Sequence, residues 1–132
     1  MKYLLDTNVV SALMKDPGGS VTIRIREVGE KAVCTSIIVV AEVRYGIEKV
    51  QSRRLAEQFD RVARSLTVVP FAQPAEMHYA AVRTQTENRG LTVSQNDLLI
   101  AAQTLALDAV LVTDDRIFSE VRGLKIENWL RS

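Results

Sequence analysis

The sequence predicts an α/β domain in which helices cover both faces of a parallel sheet. Brief apolar runs of strand length alternate with segments of helical periodicity, the order that builds such a sheet. The 132 residues fit a single domain, 47% of them hydrophobic and 25% charged, and no repeat, low-complexity tract or Pro/Gly-rich linker divides them. A chain this apolar can bury enough surface to offset its ordering entropy.

Tyr3 to Leu5 reads as the first strand. It ends at Asp6-Thr7-Asn8, where an Asx or Thr side chain caps a helix reaching Met14. Asp16-Pro17-Gly18-Gly19 stops that helix, and Ser20 caps the next, to about Val28. Ala32 to Thr35 is a second strand, and Ser36 caps a helix to about Val50. Gln51 to Ser65 carries the clearest helical signal, since Leu55, Phe59, Val62 and Leu66 make one apolar stripe. Thr67 to Val69 is a third strand, and Pro74 suits the first turn of a long helix that Gly90 ends. Asn96 or Asp97 caps a helix over Leu98 to Leu107, Ala109 to Val112 is a fourth strand, and Lys125 to Glu127 is a candidate fifth. Crossovers between parallel strands are expected to be right-handed. Ligands of such sheets bind beyond the strands' carboxyl ends, which directs attention to the residues just after each strand.

Composition excludes several chemistries. No apolar run approaches the roughly 20 residues that cross a bilayer, and Asp6 interrupts what would be the apolar core of a signal peptide. A soluble cytoplasmic protein with no membrane partner is therefore expected. Cys34 is the single cysteine and His78 the single histidine. A lone thiol forms no intramolecular disulfide, which suits a reducing compartment, and the two residues cannot build a four-ligand structural zinc site. A Ser-His-Asp triad would need His78, which lies in the helical stretch Ala75 to Asn88 with no nucleophile motif nearby, so a solvated helix position is the better reading. Seventeen basic against sixteen acidic residues leave a net charge of +1, and no bulk field marks a nucleic-acid binder. Most of the basic residues are Arg, however, which grips phosphate in a bidentate fork.

The acidic residues are more informative. Asp6 follows the first strand, and Asp114 and Asp115 follow the fourth, so all three lie at the carboxyl edge of the sheet. Taken singly, Asp6 reads as a helix cap and the other two as a polar turn. Glu42 is harder to dismiss, because it interrupts Ile37-Ile38-Val39-Val40-Ala41 and Val43, and its helical neighbours are Val39, Ile38, Tyr45 and Gly46. A buried carboxylate with no partner would neutralise or cost several kcal/mol. Something positive must reach Glu42 from elsewhere, either a distant Arg or a cation. Asp97 repeats the pattern ahead of Leu98-Leu99-Ile100-Ala101-Ala102, where capping and metal binding are compatible roles. Acidic positions from separate segments, with no His or Cys among them, suit a hard divalent cation such as Mg²⁺ or Mn²⁺. Such a site suits phosphodiester hydrolysis.

At these residues the chain resembles the PIN-domain ribonucleases, and within them the VapC toxins of bacterial toxin–antitoxin pairs. Leu4-Leu5-Asp6-Thr7-Asn8-Val9 is similar to the family's opening motif, and Ser36 through Glu42 to Gly46 to its second block. Arg89-Gly90 with Asp97 to Ala102 resembles the third block, and Leu111-Val112-Thr113-Asp114-Asp115 with Phe118 and Trp129 resembles the fourth block and tail. The match spans nearly the whole chain, 1–132, as one PIN domain. The resemblance implies a three-layer α/β/α fold with a central parallel sheet of about five strands. It also implies an endoribonuclease dependent on Mg²⁺ or Mn²⁺, with Asp6, Glu42, Asp97 and Asp115 as the acidic cluster. In that reading Asp6 and Asp97 fix the cation, while Glu42 and Asp115 orient the attacking water or hold a second ion. Asn8 and Thr113 hold waters or carboxylates around it. Asp114 is a departure that supplies either the fourth charge or only a turn. Cleavage by this route leaves a 5′-phosphate and a 3′-hydroxyl.

The resemblance further implies a tRNA or rRNA substrate, a homodimer, and a small VapB-like antitoxin that blocks the site. The apolar helix around Tyr45 and Ile47 could supply contact surfaces, although core burial explains it equally. Arg53, Arg54, Arg61 and Arg64 share one helix and read first as a solvated face; Arg24, Arg26, Arg83 and Arg89 are equally open as phosphate contacts. Two rivals remain. A haloacid-dehalogenase-like phosphatase would use Asp6 as nucleophile but wants a general acid where Asn8 stands, and it leaves Glu42 and Asp97 unused. A catalytically inactive PIN module would bind RNA or a protein without cutting.

Overall fold

Five short strands, all parallel, form the centre of the molecule: β1 (Tyr3–Leu5), β2 (Val33–Ser36), β3 (Thr67–Val69), β4 (Val110–Val112) and β5 (Lys125–Glu127), in the order β3-β2-β1-β4-β5. The structure is a computed structural model and describes residues 2–131. Among these residues lie the helices α1 (Thr7–Lys15), α2 (Ser20–Val28), α3 (Ile37–Val50), α4 (Arg53–Ser65), α5 (Ala75–Asn88) and α6 (Gln95–Ala106), which flank the sheet in a three-layer α/β/α arrangement. α1, α3 and α4 pack on one another, and α5 packs along α6.

The strand order explains where a site forms. β1 sits in the middle; the chain builds outward from it to β2 and β3, then returns to add β4 and β5 on the other side. This reversal leaves a switch point between β1 and β4, the place where open sheets of this kind form a ligand crevice beyond the carboxyl ends. Pairing of Leu5 with Val112 and with Thr35 places Asp6 level with Thr113 and Ser36. The central strands are apolar on both faces, as sheets covered twice require: Leu4, Leu5, Leu111 and Val112 are fully buried, against Val9, Val10, Ile100 and Ala101 from the helices. Cys34 is buried in β2, and burial pushes its thiol up to about 11, which makes it inert rather than reactive.

Several expected boundaries move, each because a different cap wins. Ser20 does not cap α2; Gly19 holds that position, and the Ser20 hydroxyl donates to the Trp129 carbonyl at 2.8 Å. Gln51 adopts a left-handed conformation after α3, so α4 begins at Arg53 with Ser52 accepting from the Leu55 amide. α6 starts ahead of the expected Leu98, because Ser94, not Asn96 or Asp97, accepts the capping hydrogen bond.

Trp129 fastens the C-terminal segment. It is 2% exposed, its ring lies 5.2 Å from that of Tyr3, and its indole N–H donates to Glu127 at 2.9 Å. Trp129→Ala is expected to cost about 3–5 kcal/mol, seen as a lower urea midpoint at unchanged slope.

Candidate active site

Asp6 is the first residue beyond β1. Its amide donates to the Val112 carbonyl at 2.9 Å and its carbonyl opens α1 by accepting from Val10 at 3.0 Å. The backbone thus occupies a cap position, but the carboxylate makes no capping bond. Instead Oδ2 accepts from the Thr113 hydroxyl at 2.7 Å, in a place only 4% exposed. That hydroxyl also accepts the Asp115 amide at 3.0 Å, so one buried threonine fixes both the carboxylate after β1 and the loop after β4.

Glu42 enters from α3, whose start Ser36 sets by accepting from the Ile38 amide at 2.9 Å. Its Oε1 is sealed from solvent with no hydrogen-bond partner, and no Arg or Lys among the described residues pairs with it. The salt bridge to a distant Arg is therefore absent. Asp97, in the first turn of α6, is half-buried, its amide held by Ser94 at 3.2 Å.

The three carboxyls all take protons more readily than usual, with burial as the largest cause. Asp97 and Asp6 add to the rise at Glu42, Asp115 adds to that at Asp6, and Asp6 and Asp115 add to that at Asp97. The Thr113 hydroxyl and the Thr7 amide oppose it at Asp6, and Ser94 opposes it at Asp97. Asp6 is thus within electrostatic reach of Glu42, Asp97 and Asp115, carboxyls that come from three other segments. Among the described residues no three His, Cys, Asp or Glu side chains are already drawn tightly enough to enclose an ion. Charges 4 Å apart repel by about 4 kcal/mol at an effective dielectric of 20, which resists closer approach of unneutralised carboxylates.

Asp114 and Asp115 divide their work. Asp115 Oδ1 accepts from the Ile117 amide at 3.1 Å and its charge acts on the cluster. Asp114 is turned elsewhere: its amide donates to Asn8 Oδ1 at 3.2 Å and its Oδ1 accepts from Asn128 at 2.7 Å. Asn8 therefore holds backbone rather than a carboxylate, and as an amide it offers no proton to a leaving group.

Raised carboxyl pKa values set the sign of a stability effect. The folded chain binds these protons more tightly than the unfolded chain, so stability falls as pH rises from the ordinary carboxylate range through the folded values. In EDTA the unfolding midpoint is expected to climb as pH is lowered from neutrality toward the ordinary carboxylate range. Excess Mg²⁺ or Mn²⁺ at neutral pH is expected to raise it too. Calorimetry at several pH values checks both.

One residue of the site's scaffold escaped sequence reasoning. Gln103 on α6 is 2% exposed; its Nε2 donates to the Val69 and Pro70 carbonyls at 3.0 and 2.9 Å, and its Oε1 accepts from the Ser36 hydroxyl. It ties the helix bearing Asp97 to the start of the helix bearing Glu42. Some of the candidate arginines are also placed: Arg24 pairs with Glu127 at 3.2 Å, Arg83 with Glu87 at 3.2 Å and Arg89 with Glu120 at 2.7 Å, whereas Arg53, Arg54 and Arg64 on α4 have no carboxylate partner among the described residues. Arg26 and Arg61 line a groove of about 440 Å³ that includes Val33, the first residue of β2, at the sheet edge away from the acidic residues.

Residues 3–124 match the family described as PIN domain. The chain is 33% identical to the ribonuclease VapC2 of Rickettsia felis over 98% of both chains, and 32% identical to the ribonuclease VapC2 of Haemophilus influenzae over 98% and 99%. Among solved structures, it is similar to VapBC2 of Rickettsia felis bound to a promoter DNA fragment, with a TM-score of 0.88, 31% identity and 98% and 99% of the two chains covered. It is also similar to DNA-bound VapBC of Salmonella typhimurium, with a TM-score of 0.86, 27% identity and 98% of both chains covered.

Proposed function

Because the chain belongs to the PIN-domain family, and within it to the VapC ribonucleases of toxin–antitoxin pairs, we propose that it hydrolyses RNA phosphodiester bonds with Mg²⁺ or Mn²⁺ at this acidic crevice. The observation that carries the reading is Glu42 Oε1, a sealed carboxylate oxygen with no partner, facing Asp6 and Asp97. A donor set made only of oxygens fits a hard divalent ion. Asp6 and Asp97 would hold it, with Glu42 and Asp115 completing the shell or serving a second ion. When bound, such an ion polarises the phosphate, acidifies water and steadies the leaving oxygen.

The chain's own residues do the rest. Thr113 fixes the orientation of Asp6 through its 2.7 Å bond. Ser94 and Ser36 fix the helix starts that present Asp97 and Glu42. Where they do not hold a second ion, Glu42 and Asp115 orient the attacking water and accept its proton. Attack in line on phosphorus forms the new P–O bond as the bond to the 3′ oxygen breaks; that oxygen takes a proton from a solvent water, which leaves a 5′-phosphate and a 3′-hydroxyl. His78, half-buried on α5, has no part in this.

Incubation of a mixed tRNA and rRNA pool tests the reading. Cleavage is expected with Mg²⁺ or Mn²⁺, is lost in excess EDTA, and leaves 5′ ends that ligate without phosphorylation. Undiminished cleavage in EDTA, or 5′-hydroxyl ends, would overturn it. A small VapB-like antitoxin and a second copy of the chain are the proposed protein partners; the similar solved structures named VapBC support the first. On α3, Ile37 and Tyr45 are exposed and offer apolar contact surface, whereas Ile47 is packed against the core. No helix among the described residues is long and apolar enough to cross a membrane.

A further inference from the structure

An acidic crevice repels RNA, so cations of the chain must meet the strand close to the bond that is cut. Beside the crevice, and sharing Thr113 and Asp115 with it as one wall, a cleft of about 260 Å³ opens beyond β4 and β5. Arg116 and Arg131 flank it; Asp114, Asp115 and Glu127 also line it, with Glu127 taken up by Arg24 and the Trp129 indole, and Ile126, 36% exposed on the edge strand, supplies an apolar surface. Arg116 has no carboxylate partner among the described residues, and the nearest carboxylate to Arg131 is Asp114 at 3.9 Å, the outer limit of an ion pair. The Asn128 amide already occupies Asp114 Oδ1, and the Asp114 amide is tied to Asn8. The residue beside the fourth acidic position is thus part of the cleft's frame.

Resting on the hydrolysis proposed above, we propose that this cleft binds a sugar–phosphate unit of the RNA strand next to the scissile bond. Arg116 and Arg131 grip its phosphate and act as positioning residues. Among the other arginines, Arg24, Arg44, Arg83 and Arg89 are held by carboxylates and Arg26 and Arg61 lie along the distant groove, while Arg53, Arg54, Arg64 and Arg122 have no carboxylate partner among the described residues but do not line this cleft. Planar guanidinium groups suit phosphate, and a base or sugar can rest against Ile126.

The test is binding of a fluorescent single-stranded RNA to the full chain, with Ca²⁺ in place of Mg²⁺, at several salt concentrations. Arg116→Ala and Arg131→Ala are each expected to weaken binding by about fivefold, and each lost phosphate contact lowers the salt slope by about 0.7 for a single strand. Arg61→Ala is expected to change neither quantity. With cleavable RNA and Mg²⁺, the double variant is expected to raise KM with little change in kcat, and its unfolding midpoint matches that of the wild type. No measurable binding by the wild type, or equal affinity and salt slope in the double variant, overturns the cleft. If the double variant keeps its KM while Asp97→Asn is inactive, the cleft fails and the hydrolysis reading stands. If the wild type cuts nothing with any divalent ion but the arginine variants lose binding, hydrolysis fails and the cleft stands.

Discussion

Asp97→Asn is expected to lower kcat/KM for RNA cleavage by about a thousandfold or more, some 4 kcal/mol of transition-state stabilisation. Asp6→Asn is expected to do the same. Neither should unfold the chain. The backbone amide at position 97 still donates to Ser94, and an amide oxygen at position 6 can still accept from the Thr113 hydroxyl. Each variant removes a charge from a crevice where carboxyls already raise one another's proton affinity. In EDTA at neutral pH both variants should therefore unfold at the same temperature as the wild type or a few degrees higher, at about 2–8 °C per kcal/mol for domains near this size. Retained cleavage would remove that aspartate from the metal site. A falling midpoint would show that its carboxylate supports the fold instead.

The second large effect is structural. Gln103→Leu is expected to destabilise the chain by about 2–4 kcal/mol, because it leaves the Ser36 hydroxyl and the Val69 and Pro70 carbonyls without their buried partner. The loss should appear as a lower urea midpoint at unchanged slope. Activity should fall as well, even where the variant is still folded, because Gln103 braces the two helices that present Asp97 and Glu42. Gln103→Glu keeps the acceptor but loses the donor to two carbonyls, and it should not restore stability. An unchanged midpoint for Gln103→Leu would mean that this network contributes nothing net.

The same physical rule made Glu42 legible in the sequence and left Gln103 unread. Each is a polar side chain inside an apolar helical run, but an unpartnered charge demands explanation whereas an amide passes as tolerable. The parallel sheet and its acidic edge followed from alternating elements, and the resemblance in four ordered blocks supplied the fourth acidic position. Asp114 and Asp115 could not be separated, because the difference lies in partners distant in sequence: Asn8 for the first, and Thr113 with the Asp6 and Asp97 charges for the second. Helix starts moved where several capping residues stood close together, as Ser94, Asn96 and Asp97 do. The arginines were unreadable for the same reason as Asp114. Arg24 meets a carboxylate 103 residues away, and only the folded chain shows that it is taken.

A crystal soaked in Mn²⁺ and measured for its anomalous signal tests the central claim most directly. The expected result is a peak bound by the carboxylates of Asp6 and Asp97, with Glu42 Oε1 turned toward it. Absence of a peak there, at a Mn²⁺ concentration that supports RNA cleavage, would contradict the account, as would a guanidinium clasping Glu42 in its place.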